Sequence, residues 1–119
     1  MSKLPAGTQR LLDSVHEGAA SKLARNPVAL DVSEVTAMTD VIYVCHGESG
    51  RAVEAITAAV LEKLEEDGVR VDHVEGLREQ QWVLIDLGSV MVHVFVAERR
   101  GYYSLERLWH DARPIELPP

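Results

Sequence analysis

His93, set in the apolar run SVMVHVFV, and Asp86, seven residues before it, are the sharpest candidates for chemistry in this sequence. Histidine titrates near neutrality and a carboxylate can orient its ring, so the two could form an acid–base dyad. On a half-buried surface the same pair reads as a structural hydrogen bond, which is the commoner use of buried polar groups. No Ser or Cys nucleophile stands at a matching position: Ser89 falls in a turn, and Ser104 reads as a helix N-cap. A catalytic triad is therefore not supported.

Other motifs fail on spacing. Gly47-Glu48-Ser49-Gly50 has its second glycine one residue too early for the hydrolase elbow. His46-x-Glu48 lacks the downstream P-C-x-x-C of a zinc deaminase, and His16-Glu17 lacks the second histidine of a metalloprotease helix. A strand, a Gly-Ser turn and a helix start at residues 46–51 could cradle a phosphate on backbone N–H groups, making a small nucleotide-binding enzyme one reading. A tight turn ending in a helix cap accounts for the same residues. Two-metal nucleotidyl transfer needs paired carboxylates. Here Asp86 is followed by Leu87-Gly88, and Asp31 and Asp40 stand alone. The expectation is a protein with no metal, no cofactor and no catalytic residues.

The elements that position these residues follow from periodicity. Residues 8–25 predict a helix with Leu11, Leu12, Val15, Ala19 and Leu23 on one face, stopped by Asn26-Pro27. Residues 28–32 (VALDV) and 41–45 (VIYVC) predict buried strands. Ser49 caps a helix over 51–67, closed by Gly68. A weaker strand is predicted at 71–74, and strands at 82–87 and 90–96 are joined by the hairpin turn Gly88-Ser89. A short helix at 104–110 and a Pro-rich tail end the chain. The order α-β-β-α-β-β-β-α predicts an α/β fold, with a mixed sheet of about five strands packed with helices. Residues 1–119 read as a single domain, with 1–7 and 115–119 as loose tails.

With Leu87 opposite Val90, the hairpin sorts its side chains onto two faces. Val83, Ile85, Leu87, Val90, Val92, Val94 and Val96 form an aliphatic face that must lie under the helices. Trp82, Leu84, Asp86, Met91, His93 and Phe95 form the other, with Asp86 diagonal to His93. Five of the six aromatic residues fall between positions 82 and 109. Leu105, Leu108 and Trp109 add a stripe at helical spacing, with Tyr102 and Tyr103 just before it. Such residues fill cores, and they are also enriched at the centres of protein interfaces.

Composition narrows the partner. The 119-residue chain carries a net charge of −7, with 12 Lys and Arg against 19 Asp and Glu. Nucleic-acid affinity rests on cations that neutralise phosphates, so direct nucleic-acid binding is disfavoured and a basic protein is the better partner. One cysteine, Cys45, forms no internal disulfide and fits a reducing, cytoplasmic setting. No stretch approaches the ~18 apolar residues of a membrane span, and no export signal is read.

Taken in order, ALDVSEVTAMTDVIYVCHGES-x-R, HVEGLRE-x-x-WVLIDLG, VMVHVF and YYSLERLWHDA resemble the ribosomal silencing factor (RsfS/Iojap) family, from about residue 12 to 114. The resemblance implies a nucleotidyltransferase-like fold without catalytic carboxylates. It implies binding to the large ribosomal subunit through large-subunit ribosomal protein fourteen, blocking the small subunit and lowering translation when nutrients are scarce. Large-subunit assembly through the same interface is the alternative role, and free members often form homodimers. Carried over by position, the interface falls on Trp82, Asp86, His93 and Tyr103, with Leu105, Leu108 and Trp109 contributing. Ser89 and His110 depart from the family's usual Asp and Gly, which leaves any carboxylate contact at the hairpin tip without its group.

Overall fold

A computed structural model describes residues 4–71, 73–100 and 111–119. The elements run α1 (Ala6–Ser21), β1 (Arg25–Asp31), β2 (Val41–Gly47), α2 (Gly50–Glu66), β3 (His73–Glu75), β4 (Trp82–Asp86), β5 (Val90–Val96), the single turn α3 (Ala97–Arg100) and β6 (Arg113–Ile115). Six strands form one sheet in the order β3-β4-β5-β2-β1-β6. Among the described residues only β2 and β5 pair in parallel, so the sheet is mixed and the fold is α/β as expected.

α1 and α2 lie on one face of this sheet. Leu12, Val15 and Ala19 from α1 meet Val53, Ile56, Val60 and Leu64 from α2 over Val83, Ile85, Val90, Val92 and Val94, all essentially inaccessible to water. The aliphatic face of the hairpin is thus the core face. The helices approach closely at Gly18, where a Cβ would stand 2.8 Å from the Cα of Val60. Any larger residue there forces the helices apart. α2 starts as predicted, with the Ser49 hydroxyl accepting the Ala52 N–H at 3.2 Å.

The N-terminal boundary differs from the sequence reading. α1 ends at Ser21, Leu23 turns the chain at φ +56°, and Asn26-Pro27 lie inside β1 rather than terminating a helix. The β1–β2 register slips between Arg25 and Val28, and that irregularity accommodates the missing Pro27 N–H.

The C-terminus also differs. Residues 115–119, expected as a loose tail, begin inside a sixth strand: Ala29 pairs with Ile115 and Asp31 with Arg113. Beyond it, His16 Nε2–H donates to the Pro118 carbonyl at 2.9 Å, and His16 Nδ1 lies 2.8 Å from the Tyr43 hydroxyl. His16, which failed as a metal ligand on spacing, instead links α1, β2 and the chain end. The predicted helix at 104–110 lies outside the described residues. No helix among the described residues is long and apolar enough to cross a membrane.

Candidate protein-binding face

The register of β4 on β5 is the predicted one: Trp82 faces Phe95, Leu84 faces His93 and Asp86 faces Met91. The turn at Gly88-Ser89 is closed by the Leu87 N–H on the Val90 carbonyl at 2.9 Å. The six side chains share the sheet face turned away from α1 and α2, joined there by Leu30, Val32, Ile42 and Val44. Gly76 lets β4 begin where it does. It adopts φ +86°, and a Cβ there would lie 2.0 Å from the Trp82 carbonyl oxygen. Only glycine lets the chain pass so close behind Trp82.

The predicted Asp86–His93 contact is replaced by two others. The Asp86 carboxylate turns to the hairpin tip and accepts the Gly88 N–H at 2.9 Å. His93 Nδ1 accepts the indole Nε1–H of Trp82 at 3.0 Å. An indole N–H only donates, so the ring proton of His93 resides on Nε2. Trp82 and Asp86 are both diagonal to His93, on opposite sides. The carboxylate takes the nearer backbone donor, and the indole takes the imidazole.

Three rings form a stack. Trp82 lies 5.3 Å from Phe95 and 5.9 Å from His93, and the His93 and Phe95 planes are 8° from parallel. Phe95 is fully buried and His93 is 6% exposed, whereas Trp82, Leu84, Asp86 and Met91 are half-buried. Burial pushes the His93 pKa down to about 4 from its ordinary 6.5, so the ring is neutral at physiological pH. A neutral, buried imidazole held by an indole has no acid–base work to do. His93 and Phe95 instead brace the residues that reach solvent. Tyr103, Leu105, Leu108 and Trp109 lie outside the described residues.

The phosphate-loop alternative gains nothing. The Ser49 hydroxyl is spent on its helix cap, and His46 Nδ1 accepts from the Arg100 guanidinium at 2.9 Å. Burial and the neighbouring Arg100 lower the His46 pKa. The Cys45 thiol is buried on the core side and pushed up to about 12 by that burial, which makes it inert as a nucleophile. No group of three His, Cys, Asp or Glu side chains that could hold a metal ion occurs among the described residues.

Sequence reasoning missed the loop between β1 and β2. Val35 and Met38 there are exposed, Met38 at 77%. Beneath them lies a groove of about 350 Å³ floored by Ile42, Met91 and His93. The signal was present as two apolar residues in the otherwise polar stretch SEVTAMTD.

Residues 5–119 match the family described as "Ribosomal silencing factor during starvation". The chain is 39% identical over 109 residues to the ribosomal silencing factor RsfS of Halalkalibacterium halodurans, covering 92% of this chain and 93% of that one. It is 43% identical over 96 residues to RsfS of Bacillus subtilis, covering 81% of each. A crystal structure of a Bacillus halodurans protein superposes with a TM-score of 0.81 at 38% identity, covering 92% of this chain and 99% of that one.

Proposed function

We propose that this chain, which belongs to the ribosomal silencing factor family, is a non-enzymatic repressor that docks on the large ribosomal subunit through large-subunit ribosomal protein fourteen. Docked there, it keeps the small subunit from joining and lowers translation when nutrients are scarce. The observation that carries this reading is the row Trp82, Leu84, Asp86 and Met91, half-exposed on the face away from the helices and braced by buried His93 and Phe95. Aromatic and Met side chains with one carboxylate suit the centre of a protein interface. The net charge of −7 suits a basic ribosomal protein. By family resemblance, Tyr103, Leu105, Leu108 and Trp109 contribute to the same interaction. The protein acts in the cytoplasm, where ribosomes are.

Co-sedimentation of the purified chain with large subunits tests the reading, alongside a subunit-joining assay. The wild type pellets with large subunits and reduces formation of joined ribosomes. Trp82→Ala and Tyr103→Ala each weaken the interaction by about thirtyfold, the scale of an aromatic anchor lost from an interface. Absence of wild-type binding defeats the function. Full binding by both variants defeats the assignment of the face.

A further inference from the structure

Among the described residues the sheet ends at β6, three residues long, on the flank of the seven-residue β1. A sheet edge offers backbone groups to any further strand, so what covers it matters. The Val32 N–H reaches the Asp40 carbonyl on the β2 side. Backbone groups alternate sides along an antiparallel strand, so Leu30 also turns its N–H toward β2, while Ala29 and Asp31 turn theirs toward β6. Leu30 stands opposite Pro114. Pro114 is therefore the residue of β6 whose nitrogen faces away from β1, and that nitrogen carries no hydrogen. Arg113 and Ile115 pair inward, and the centre of the outer edge has no donor. A proline one position earlier or later would cost a bond to β1.

The same segment is fastened beyond the sheet. Ile115 and Leu117 pack against the core beneath the helices. His16 of α1, 8% exposed, gives its Nε2–H to the Pro118 carbonyl at 2.9 Å, and its Nδ1 meets the Tyr43 hydroxyl at 2.8 Å. A ladder of three residues frays easily by itself, and the buried imidazole holds its far end.

The edge beneath is self-complementary. Val28, Leu30 and Val32 share the sheet face turned away from the helices. With β6 lifted, the β1 of a second copy fits antiparallel about a two-fold axis at Leu30. Ala29 and Asp31 then exchange backbone bonds with the second copy's Asp31 and Ala29. Val28 meets the second copy's Val32, and Leu30 meets its own counterpart, so every cross-strand pair on that face is apolar.

We infer that residues 113–118 form a strap, latched by His16, that occupies the β1 edge and keeps the β1 of a second copy from adding to the sheet.

Native-state amide exchange on the full chain tests whether the strap opens as a unit of its own. Leu64→Ala removes a contact that an open strap keeps, so it speeds exchange at Val94 by about thirtyfold or more and leaves Ala29 and Asp31 unchanged. His16→Leu and Leu117→Asp loosen the strap from two directions, and each speeds Ala29 and Asp31 by about tenfold, the scale of one buried hydrogen bond. His16→Gln, whose amide can donate to Pro118 and accept from Tyr43, exchanges like the wild type. Combined in one chain, His16→Leu and Leu117→Asp give a dimer in sedimentation beyond any wild-type association, and in it Ala29 and Asp31 regain their protection. The strap is overturned if Ala29 follows Val94 in Leu64→Ala, or if neither loosening change speeds Ala29. If the combined variant associates no more than the wild type, or its dimer leaves Ala29 and Asp31 exchanging fast, the β1 edge receives no second copy and the inference is wrong.

Discussion

Along β5, Val90, Val92 and Val94 turn toward the helices, while Met91, His93 and Phe95 turn the other way. The first set sits in a mostly aliphatic interior, with Tyr43 and Cys45 among it, built from two helices and the central strands. The second set sits among stacked rings, with a buried imidazole whose acceptor is occupied by an indole. The two sets are held in place by different physics. Non-directional packing stabilises the helix side through area removed from water. The opposite side holds its side chains in fixed orientations through directional contacts, and those orientations are what a partner recognises.

Breaking the aliphatic side gives the largest expected effect. Leu64→Ala empties a fully buried position in α2 and lowers the unfolding free energy by about 2–5 kcal/mol. Denaturant titration reads this as a lower midpoint at unchanged slope. The loss is the same at pH 5 and pH 7.5, because no titrating group takes part.

The opposite face is where acidity acts. The folded-state pKa of His93, about 4, lies below its ordinary 6.5, so the unfolded chain takes up this proton first. The stabilisation from the neutral ring is complete above pH 6.5 and is lost as the pH falls toward 4, amounting to about 3 kcal/mol at most. His93→Gln keeps an acceptor for the Trp82 indole and removes the titration. Its stability falls less steeply between pH 6.5 and 4 than the wild type's, and subtracting the two curves cancels the carboxylates and His46. Parallel curves would mean that His93 is not held neutral by the fold.

The smallest effect tests how purely apolar the helix side is. The Thr57 hydroxyl is buried in α2 and has no hydrogen-bond partner among the described residues. Thr57→Val keeps the shape and removes an unsatisfied polar atom, raising stability by about 1 kcal/mol. A loss of stability on urea unfolding would give that hydroxyl a hidden partner and blur the contrast between the faces.

What the sequence made legible follows from where local signals are strong. Strict alternation on both sides of a Gly-Ser turn fixes the β4–β5 register, because a slip of one residue would turn the valines to the wrong face. The Ser49 cap is equally local. Asn26-Pro27 misled because a proline that stops a helix also fits a strand irregularity, and only the pairing partner decides between them. The three residues Arg113–Ile115 carry a proline and no alternation, so β6 exists only because β1 offers an edge. At the site, the six residues sharing a face were readable, and their partners were not. Asp86 and Trp82 stand in equivalent diagonal positions beside His93, and a backbone N–H at Gly88 drew the carboxylate away.

The parallel pairing of β2 with β5 at the middle of the sheet, where Val41 meets Val90, has a consequence in time. The hairpin of β4 and β5 closes through a two-residue turn, on the microsecond scale of such events. The central pairing joins segments separated by the whole of α2, β3 and β4, and loop-closure entropy opposes it until α2 lies across both strands. Folding is therefore gated by this non-local step and belongs to the slower mixed α/β class rather than with helical bundles. Until that step is complete, the valines of β5 have no cover.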